Sequence, residues 1–234
     1  MEDQIILIDK PAGISSFGVV AKVRAKLRDE FGHKVKVGHT GTLDPFATGL
    51  LILLSGKMTK KSSEFLKLDK TYEATLKLGF ISTTGDPEGE IQSYPNEGGP
   101  EPGKARSSAG RPWRRAGRTR PKLDVIESSL QSFVGEVEQK VPRFSAIKIN
   151  GQRAYKLARQ NKDFETPTRK ITIYNIDILE YNYPELKIRT HVSSGTYIRT
   201  LAEDIGTKLG TGAYLTALRR TEIGKYSVKD AKVL

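Results

Sequence analysis

The sequence predicts an α+β domain with a mixed, largely antiparallel sheet flanked by helices. Strand-like apolar segments follow one another directly at residues 171–179 and 186–192, which is typical of a hairpin. Asn150 and Gly151 form a second hairpin signal, because both residues tolerate the positive φ of a tight turn. Since strands occur in hairpins as often as they alternate with helices, a mixed sheet is favoured over a parallel doubly wound one.

The first half of the chain predicts three strands and two helices. Residues 5–8 form the first strand, and Ser15 or Ser16 can cap a helix that follows it. The apolar run at residues 50–54 predicts a strand, a polar helix follows near residues 57–67, and residues 71–80 alternate as a strand does. The apolar face of the helix capped by Ser15 or Ser16 holds Val19, Val20, Val23 and Leu27. The apolar face of the strand at residues 71–80 holds Tyr72, Ala74, Leu76 and Leu78.

The second half predicts helices near residues 122–134 and 153–160 and a last strand at residues 214–220. Between them, Thr196 is the predicted cap of a helix that Gly210 ends. The apolar residues of that helix, spaced by three and four, are Ile198, Leu201, Ile205 and Leu209.

A chain of 234 residues suits one large domain or two small ones, and an insertion is predicted at about residues 95–122. This segment is rich in Gly, Pro, Ser and Arg and has no periodicity, which is typical of a disordered surface loop. Residues 101–122 hold eight basic side chains and one acidic one, a net charge of +7. A nucleic-acid-binding arm and an inert loop are both compatible with this composition.

The composition narrows the functional classes. The absence of cysteine excludes disulfides, thiolate catalysis and cysteine-based metal sites, and the three histidines lie too far apart for a helical zinc pair. The net charge of +12 favours a polyanionic partner, most simply nucleic acid. We expect no metal enzyme, and with neither a leader-like start nor an apolar run of membrane-spanning length we expect a cytoplasmic protein.

The most informative segment surrounds Asp44. Gly38, Gly41 and Gly49 permit a tightly folded loop, and Pro45 biases Asp44 towards an extended backbone. The apolar strand that follows would anchor this loop, so Asp44 is a candidate functional carboxylate. A glycine-rich turn before a buried strand is the simpler structural interpretation.

Two later segments carry charges that need partners. Arg199 lies in the first turn of a predicted helix, where a cation is unfavourable unless an acidic side chain faces it. Arg219 and Arg220 close the last predicted strand, where they can contact phosphates or simply form a basic edge.

Eight segments, in order along most of the chain, resemble the TruB family of tRNA pseudouridine synthases, which isomerise uridine 55 in the T-loop. They are LIDKPAG (7–13), GHTGTLDPFATG (38–49), DKTY (69–72), TGDPEG (84–89), FSAIK (144–148), AYKLAR (154–159), GTYIRT (195–200) and LRR (218–220). The resemblance implies the pseudouridine synthase fold. It also implies a single catalytic domain over residues 1–234, since the chain ends where bacterial members usually continue into a small RNA-binding PUA domain.

By this resemblance Asp44 is the catalytic residue, and Arg199 is the arginine that pairs with it and keeps it ionised. The isomerisation breaks the bond between ribose and base and rejoins the base through carbon 5, so it requires no cofactor. The carboxylate can attack the anomeric carbon or remove the 2′ proton of the ribose, and the sequence does not decide between them.

The same resemblance implies four substrate-binding residues besides Arg199. Tyr72 matches the tyrosine that stacks on the target uracil, and Tyr197 and Leu218 match residues that line the base pocket. His39 matches the histidine that enters the T-loop. A strand tyrosine such as Tyr72 is, on the residues alone, more simply a core residue.

The expected partner is the T-arm of tRNA, bound by a monomer that has no obligatory protein partner. Two alternatives remain at this point. The chain could modify another RNA or depend on a guide RNA and partner proteins, as archaeal and eukaryotic relatives do. It could also act as an RNA-folding factor whose benefit does not require catalysis.

Overall fold

The computed structural model describes residues 2–94 and 120–234 of the chain. Residues 95–119 of the predicted insertion lie outside the described residues. Among those that are described, no helix is long and apolar enough to span a membrane.

The described residues form fourteen strands, five α-helices and two short 3₁₀ helices. The strands are β1 (Ile5–Lys10), β2 (Val37–His39), β3 (Thr48–Ser55), β4 (Lys70–Leu78), β5 (Phe80–Ser82), β6 (Ile91–Ser93), β7 (Gly135–Lys140), β8 (Lys148–Ile149), β9 (Gln152–Arg153), β10 (Thr168–Asn182), β11 (Glu185–Val192), β12 (Ala213–Ile223), β13 (Tyr226–Ser227) and β14 (Lys232–Val233). The α-helices are α1 (Ser16–Phe31), α2 (Ser62–Leu66), α3 (Leu123–Gln131), α4 (Ala154–Arg159) and α5 (Ile198–Lys208), and the 3₁₀ helices are Gly56–Lys61 and Val228–Asp230.

A single mixed sheet organises the described part of the chain. Its strand order is β14-β1-β3-β12-β4-β11-β10-β7, with β2 paired to β3 and β13 paired to β12. The β1/β14 and β3/β12 pairs are parallel, and the other pairs in this sheet are antiparallel. The predicted α+β class with a mixed, largely antiparallel sheet is confirmed.

Most of the predicted elements are present. The Ser15 side chain accepts a hydrogen bond from the Gly18 amide and caps α1, whose four predicted apolar residues are all buried. The alternation in β4 places its four predicted residues in the core. Asn150 and Gly151 have φ of 48° and 81° and connect the short β8–β9 hairpin as predicted.

Several local features differ from the sequence-based expectation, and the short strands β2, β5, β6, β13 and β14 have no predicted counterpart. The polar helix near residues 57–67 is a 3₁₀ helix followed by the five-residue α2. Strand β7 has no predicted counterpart, because only one of its six residues is apolar and it lies at the edge of the sheet. Thr196 does not cap α5, since its hydroxyl donates to the Ser193 carbonyl; the Gln139 side chain instead binds both the amide and the carbonyl of Tyr197.

The core lies on both faces of the sheet. Helices α3 and α5 cover one face over β4, β10, β11 and β12, and α1 packs against β1 and β3 in a separate cluster. Alternate residues of β3 face α1 or a third cluster that includes Phe65 of α2. Leu43 and Ala47, which lie in the loop between β2 and β3, belong to the α5 cluster, so this loop is packed against the α5 side of the core.

Candidate active site

The loop that carries Asp44, residues 40–47, is held from behind by side chains of β1 and α1. Lys10 is completely buried, and its ammonium donates to the carbonyls of Pro11, Ile14 and Pro45 at 2.9, 2.7 and 3.1 Å. The Ser16 hydroxyl donates to the Leu43 carbonyl at 2.9 Å and accepts from the Leu43 amide at 2.8 Å. Both neighbours of Asp44 are therefore fixed to the scaffold, as a preorganised carboxylate requires.

Gly49 lies at the start of β3, just after the Asp44 loop, between two buried cations. It pairs with Lys10 of β1 on one side and with Arg220 of β12 on the other. Gly49 has φ of 101° and Gly41 has φ of 145°, which favour glycine, whereas Gly38 does not have a positive φ. The loop therefore uses the conformational freedom of glycine at residues 41 and 49 but not at Gly38.

Gly49→Ala should lower the free energy of unfolding by roughly 3 kcal/mol or more, because it combines backbone strain with overpacking. A Cβ atom at this position would lie 2.2 Å from the carbonyl oxygen and 2.8 Å from the nitrogen of Arg220. Gly13→Ala is the matched control, since Gly13 also has a positive φ of 81° but a Cβ atom there would have nothing within 4 Å. Chemical denaturation measures both variants, and equal losses would mean that the close approach to β12 does not matter.

Arg199 joins Asp44 to two other segments of the chain. Its Nε lies 3.1 Å from Asp44 Oδ2, while Nη1 donates to the Thr84 carbonyl at 2.9 Å and Nη2 to the Phe144 carbonyl at 2.7 Å. The guanidinium side chain is 6% exposed, whereas 35% of the Asp44 side chain is exposed. The arginine is thus a buried support, and the carboxylate faces outwards from it.

A second carboxylate shares this arginine. Asp86 is buried, and its Oδ2 lies 3.4 Å from Nη1 of Arg199. Its Oδ1 accepts from the Thr84 hydroxyl at 2.6 Å and from the Glu88 amide at 3.0 Å. Arg199 therefore has the acidic partners that its place in the first turn of α5 demands.

The charges around Asp44 act in opposite directions on its ionisation. Burial raises the pKa of the Asp44 carboxyl above its usual range, the Arg199 guanidinium lowers it, the Asp86 carboxylate raises it and Lys10 lowers it. Burial outweighs the cations, so the pKa lies above that of an ordinary aspartate. Burial also lowers the pKa of Lys10 to about 8.

Glu203 adds a titrating group beside this network. It lies one turn after Arg199 on α5, next to Gly85, whose absent Cβ leaves room for its carboxyl group. Burial raises the pKa of Glu203 to about 7, the neighbouring Arg199 lowers it, and Asp204 and Asp86 raise it. Its charge therefore changes near neutral pH.

Tyr72, Leu218 and Tyr197 lie on the elements that surround the Asp44 loop. Tyr72 on β4 and Leu218 on β12 are each 8% exposed and belong to the same apolar cluster as Leu43 and Ala47 of the loop. Tyr197 is half-buried immediately before α5, two residues from Arg199, and Gln139 fixes its backbone. The fold thus brings the Tyr72 and Leu218 side chains together on the α5 side of the sheet and places Tyr197 at the start of α5.

His39 ends β2 at the entrance to the Asp44 loop and is half-buried. Its Nδ1 accepts a hydrogen bond of 3.4 Å from the Gly41 amide. Burial, and then the Arg220 charge, lower the pKa of His39 below its usual range, which favours the neutral imidazole.

The two arginines that end the last predicted strand do not form a basic edge together. Arg220 is 1% exposed, and it donates to the carbonyls of Leu50 and Gly41 at 2.8 and 3.1 Å. A phosphate contact by Arg220 is therefore wrong for this structure, and its role is to support the Asp44 loop. Arg219 is partly exposed and forms a bidentate ion pair with Asp9 at 3.1 and 2.7 Å.

The sequence alone assigns no role to Lys10, Asp86, Gln139 or Glu203. Lys10 and Asp86 lie inside segments that resemble the TruB family, and that position is the available signal. Gln139 and Glu203 have no such signal, because their importance arises from contacts between elements that are distant in sequence.

Comparisons with known proteins place this geometry in a family. The model of the TruB family pseudouridylate synthase N-terminal domain matches residues 28–107 and 104–198, and that of the tRNA pseudouridylate synthase B C-terminal domain matches residues 199–234. A tRNA pseudouridine synthase B of Phocaeicola vulgatus is 43% identical over 98% of this chain and 89% of its own length. A tRNA pseudouridine synthase B of Flavobacterium johnsoniae is 41% identical over 99% of this chain and 93% of its own length.

Solved structures show the same fold. The chain superposes on a crystal structure of a Cbf5-Nop10-Gar1 complex with a TM-score of 0.68 and 26% identity, covering all of this chain and 52% of the other, so it spans about half of that longer protein. A structure of an H/ACA RNP bound to a substrate RNA gives a TM-score of 0.64 at 24% identity. With family models that together match residues 28–234 and relatives that are similar over nearly its whole length, the chain belongs to the TruB family of pseudouridylate synthases.

Proposed function

We propose that this protein converts uridine 55 in the T-arm of tRNA to pseudouridine, with Asp44 as the catalytic carboxylate. The observation that carries the proposal is the outward-facing Asp44 carboxylate, 3.1 Å from the buried Arg199, on a loop that Lys10 and Ser16 hold in place. The relatives with 41–43% identity carry the name tRNA pseudouridine synthase B, which supports tRNA as the substrate.

The proposed reaction moves one glycosidic bond. The bond from C1′ to N1 breaks, the uracil turns, and a bond from C1′ to C5 forms, while C5 loses a proton and N1 gains one. Ionised Asp44 starts this sequence either by attacking C1′ or by removing the 2′ proton. Neither route consumes an oxidant, a phosphate donor or water, so no cofactor is required.

The other candidate residues would bind the flipped nucleotide. Extruding a base costs a few kcal/mol, and stacking on aromatic rings offsets this cost. Tyr72 would stack on the uracil and is the candidate to remove the C5 proton, while Tyr197 and Leu218 would line the pocket. Neutral His39 at the loop entrance would occupy the place that the base leaves.

We further propose that the isolated chain acts as a single catalytic domain over residues 1–234, without guide RNA or an obligatory protein partner. The Cbf5 chain that it resembles was crystallised in a complex with Nop10 and Gar1, which raises the alternative of a partner-dependent enzyme. The relatives named tRNA pseudouridine synthase B are more similar to this chain than the Cbf5 chain is, over 89–93% of their length. This similarity supports an enzyme that acts without guide RNA or protein partners.

Release of the C5 proton provides the test. Purified protein alone, mixed with tRNA transcript that carries tritium at C5 of uridine, should release one equivalent of tritium per tRNA. A transcript with cytidine at position 55 is the matched control and should release none above background. No release from the uridine transcript at low salt, with protein in excess, would overturn the proposal.

The raised pKa of Asp44 predicts the pH dependence of the reaction. Because only the ionised carboxylate reacts, kcat/KM should fall on the acid side with an apparent pKa above about 3.9, the value of an ordinary aspartate. Glu203→Gln is the control, since the pKa of Glu203 is about 7 and it faces the same arginine. An apparent pKa at or below about 3.9 would contradict the assignment to Asp44, and so would loss of the acid-side decrease in Glu203→Gln.

A further inference from the structure

Phe17 is an exposed aromatic side chain that the proposed chemistry does not use. It lies in the first turn of α1 and is 65% exposed, although its neighbours Ser16, Val19 and Val20 are buried. A single exposed apolar side chain is common on protein surfaces, so the position of Phe17 and the charges beside it decide whether it binds a partner.

Phe17 follows directly a residue that holds the Asp44 loop in place. Ser16, the residue before Phe17, binds both the amide and the carbonyl of Leu43, which precedes Asp44. The Phe17 side chain itself is exposed and lies outside the apolar cluster that contains Tyr72 and Leu218.

Phe17 also begins a face of α1 that leads towards β2. Phe17, Ala21, Arg24 and Arg28 follow one another at intervals of four, three and four residues, so they share one side of the helix. Arg24 lies 5.9 Å from the centre of the Phe17 ring and donates to the Val37 carbonyl at 3.1 Å, two residues before His39. We refer to these four helix residues as the α1 face.

The charge of this region complements a polyanion. Residues 17–36 contain more Lys and Arg than Asp and Glu, because the acidic side chains there are Asp29 and Glu30 alone. Arg28 pairs with its neighbour Asp29 at 3.1 Å, and both side chains are more than half exposed, so this pair is weak and can exchange for a phosphate.

We propose that the α1 face is a second RNA-contact surface, outside the uridine pocket, on which Phe17 stacks against an unpaired nucleobase of the substrate while Arg24 and Arg28 face its phosphates. This inference rests on the proposed function for the identity of the RNA. An aromatic ring beside cations is the combination that binds single-stranded nucleic acid without reading its sequence. The surface would therefore contribute affinity and orientation, not chemistry.

Substitution of Phe17 tests the inference, because a lost RNA contact should change Kd and KM but not kcat. Phe17→Ala should raise both the Kd for tRNA transcript and KM by about 5- to 100-fold, with kcat within about twofold, because one stacked base is lost. Phe17→Trp should restore wild-type values, since tryptophan also stacks. Arg28→Ala should reduce the slope of log Kd against log salt by about 0.7–0.9 if it contacts one phosphate.

Leu66→Ala is the matched control, because Leu66 is 47% exposed on α2, which packs on the opposite face of β3 from α1. It should bind and react like the wild type. Unchanged Kd and KM in Phe17→Ala, while wild-type protein isomerises uridine 55, would overturn the inference alone. Weakened binding in Phe17→Ala but no isomerisation by wild type would instead overturn the proposed function and leave the RNA surface standing.

Discussion

Asp44→Asn should reduce kcat by at least about a thousandfold while tRNA binding stays within a few-fold of wild type. The amide keeps the size of the carboxylate and removes the charge that either route requires. The carboxylate is 35% exposed and contacts Arg199 from the solvent side, so its loss should leave the loop folded. Single-turnover kinetics and a tRNA binding titration measure the two effects separately.

Glu73→Gln is the matched control for this substitution. It also removes one charge from an ion pair, in this case with Arg189 at 2.8 Å on β4 and β11, and such partly exposed pairs contribute little. We expect its activity to match that of wild type. Substantial turnover by Asp44→Asn would show that another residue is catalytic, and rescue of a deletion strain by this variant would favour the RNA-folding role.

Arg199→Lys should be the second most damaging change, with kcat/KM lowered at least about a hundredfold, or about 2.7 kcal/mol. The three nitrogens of the guanidinium reach groups in three segments, namely Asp44, the Thr84 carbonyl beside Asp86, and the Phe144 carbonyl. The single nitrogen of lysine cannot reach all of them, and buried acceptors would lose their donors.

Because Arg199 is buried, this substitution should also lower the free energy of unfolding, by roughly 3 kcal/mol. Activity is therefore measured well below the melting temperature of the variant, which thermal unfolding determines. Arg189→Lys, at the exposed pair with Glu73, should change neither quantity appreciably. Near-normal activity of a folded Arg199→Lys protein would mean that the arginine does not orient Asp44.

The sequence predicts best those elements whose pattern is local. The cap and apolar stripe of α1, the alternation in β4 and the turn at Asn150 and Gly151 each depend on neighbouring residues, and each is present. Strand β7 has no such pattern, since its pairing with β10 at the edge of the sheet decides its conformation.

In the candidate site, too, the sequence predicts the local features but not those that depend on tertiary contacts. The glycines and the proline around Asp44 indicate a presented carboxylate, and the charge of Arg199 indicates that it needs an acidic partner. Nothing local indicates that Lys10 and Arg220 are buried, because their environment arises only when β1 and β12 come to lie on either side of Gly49. The support of the loop is a tertiary property, which is why an exposed role for Arg220 is the natural expectation from sequence.

The decisive experiment maps pseudouridine in a full unmodified tRNA transcript after incubation with the isolated wild-type protein or with Asp44→Asn. We expect complete conversion at position 55 by wild type and none by the variant, although both bind the transcript. Conversion at other uridines but not at position 55, or equal conversion by the two proteins, would contradict the proposed function.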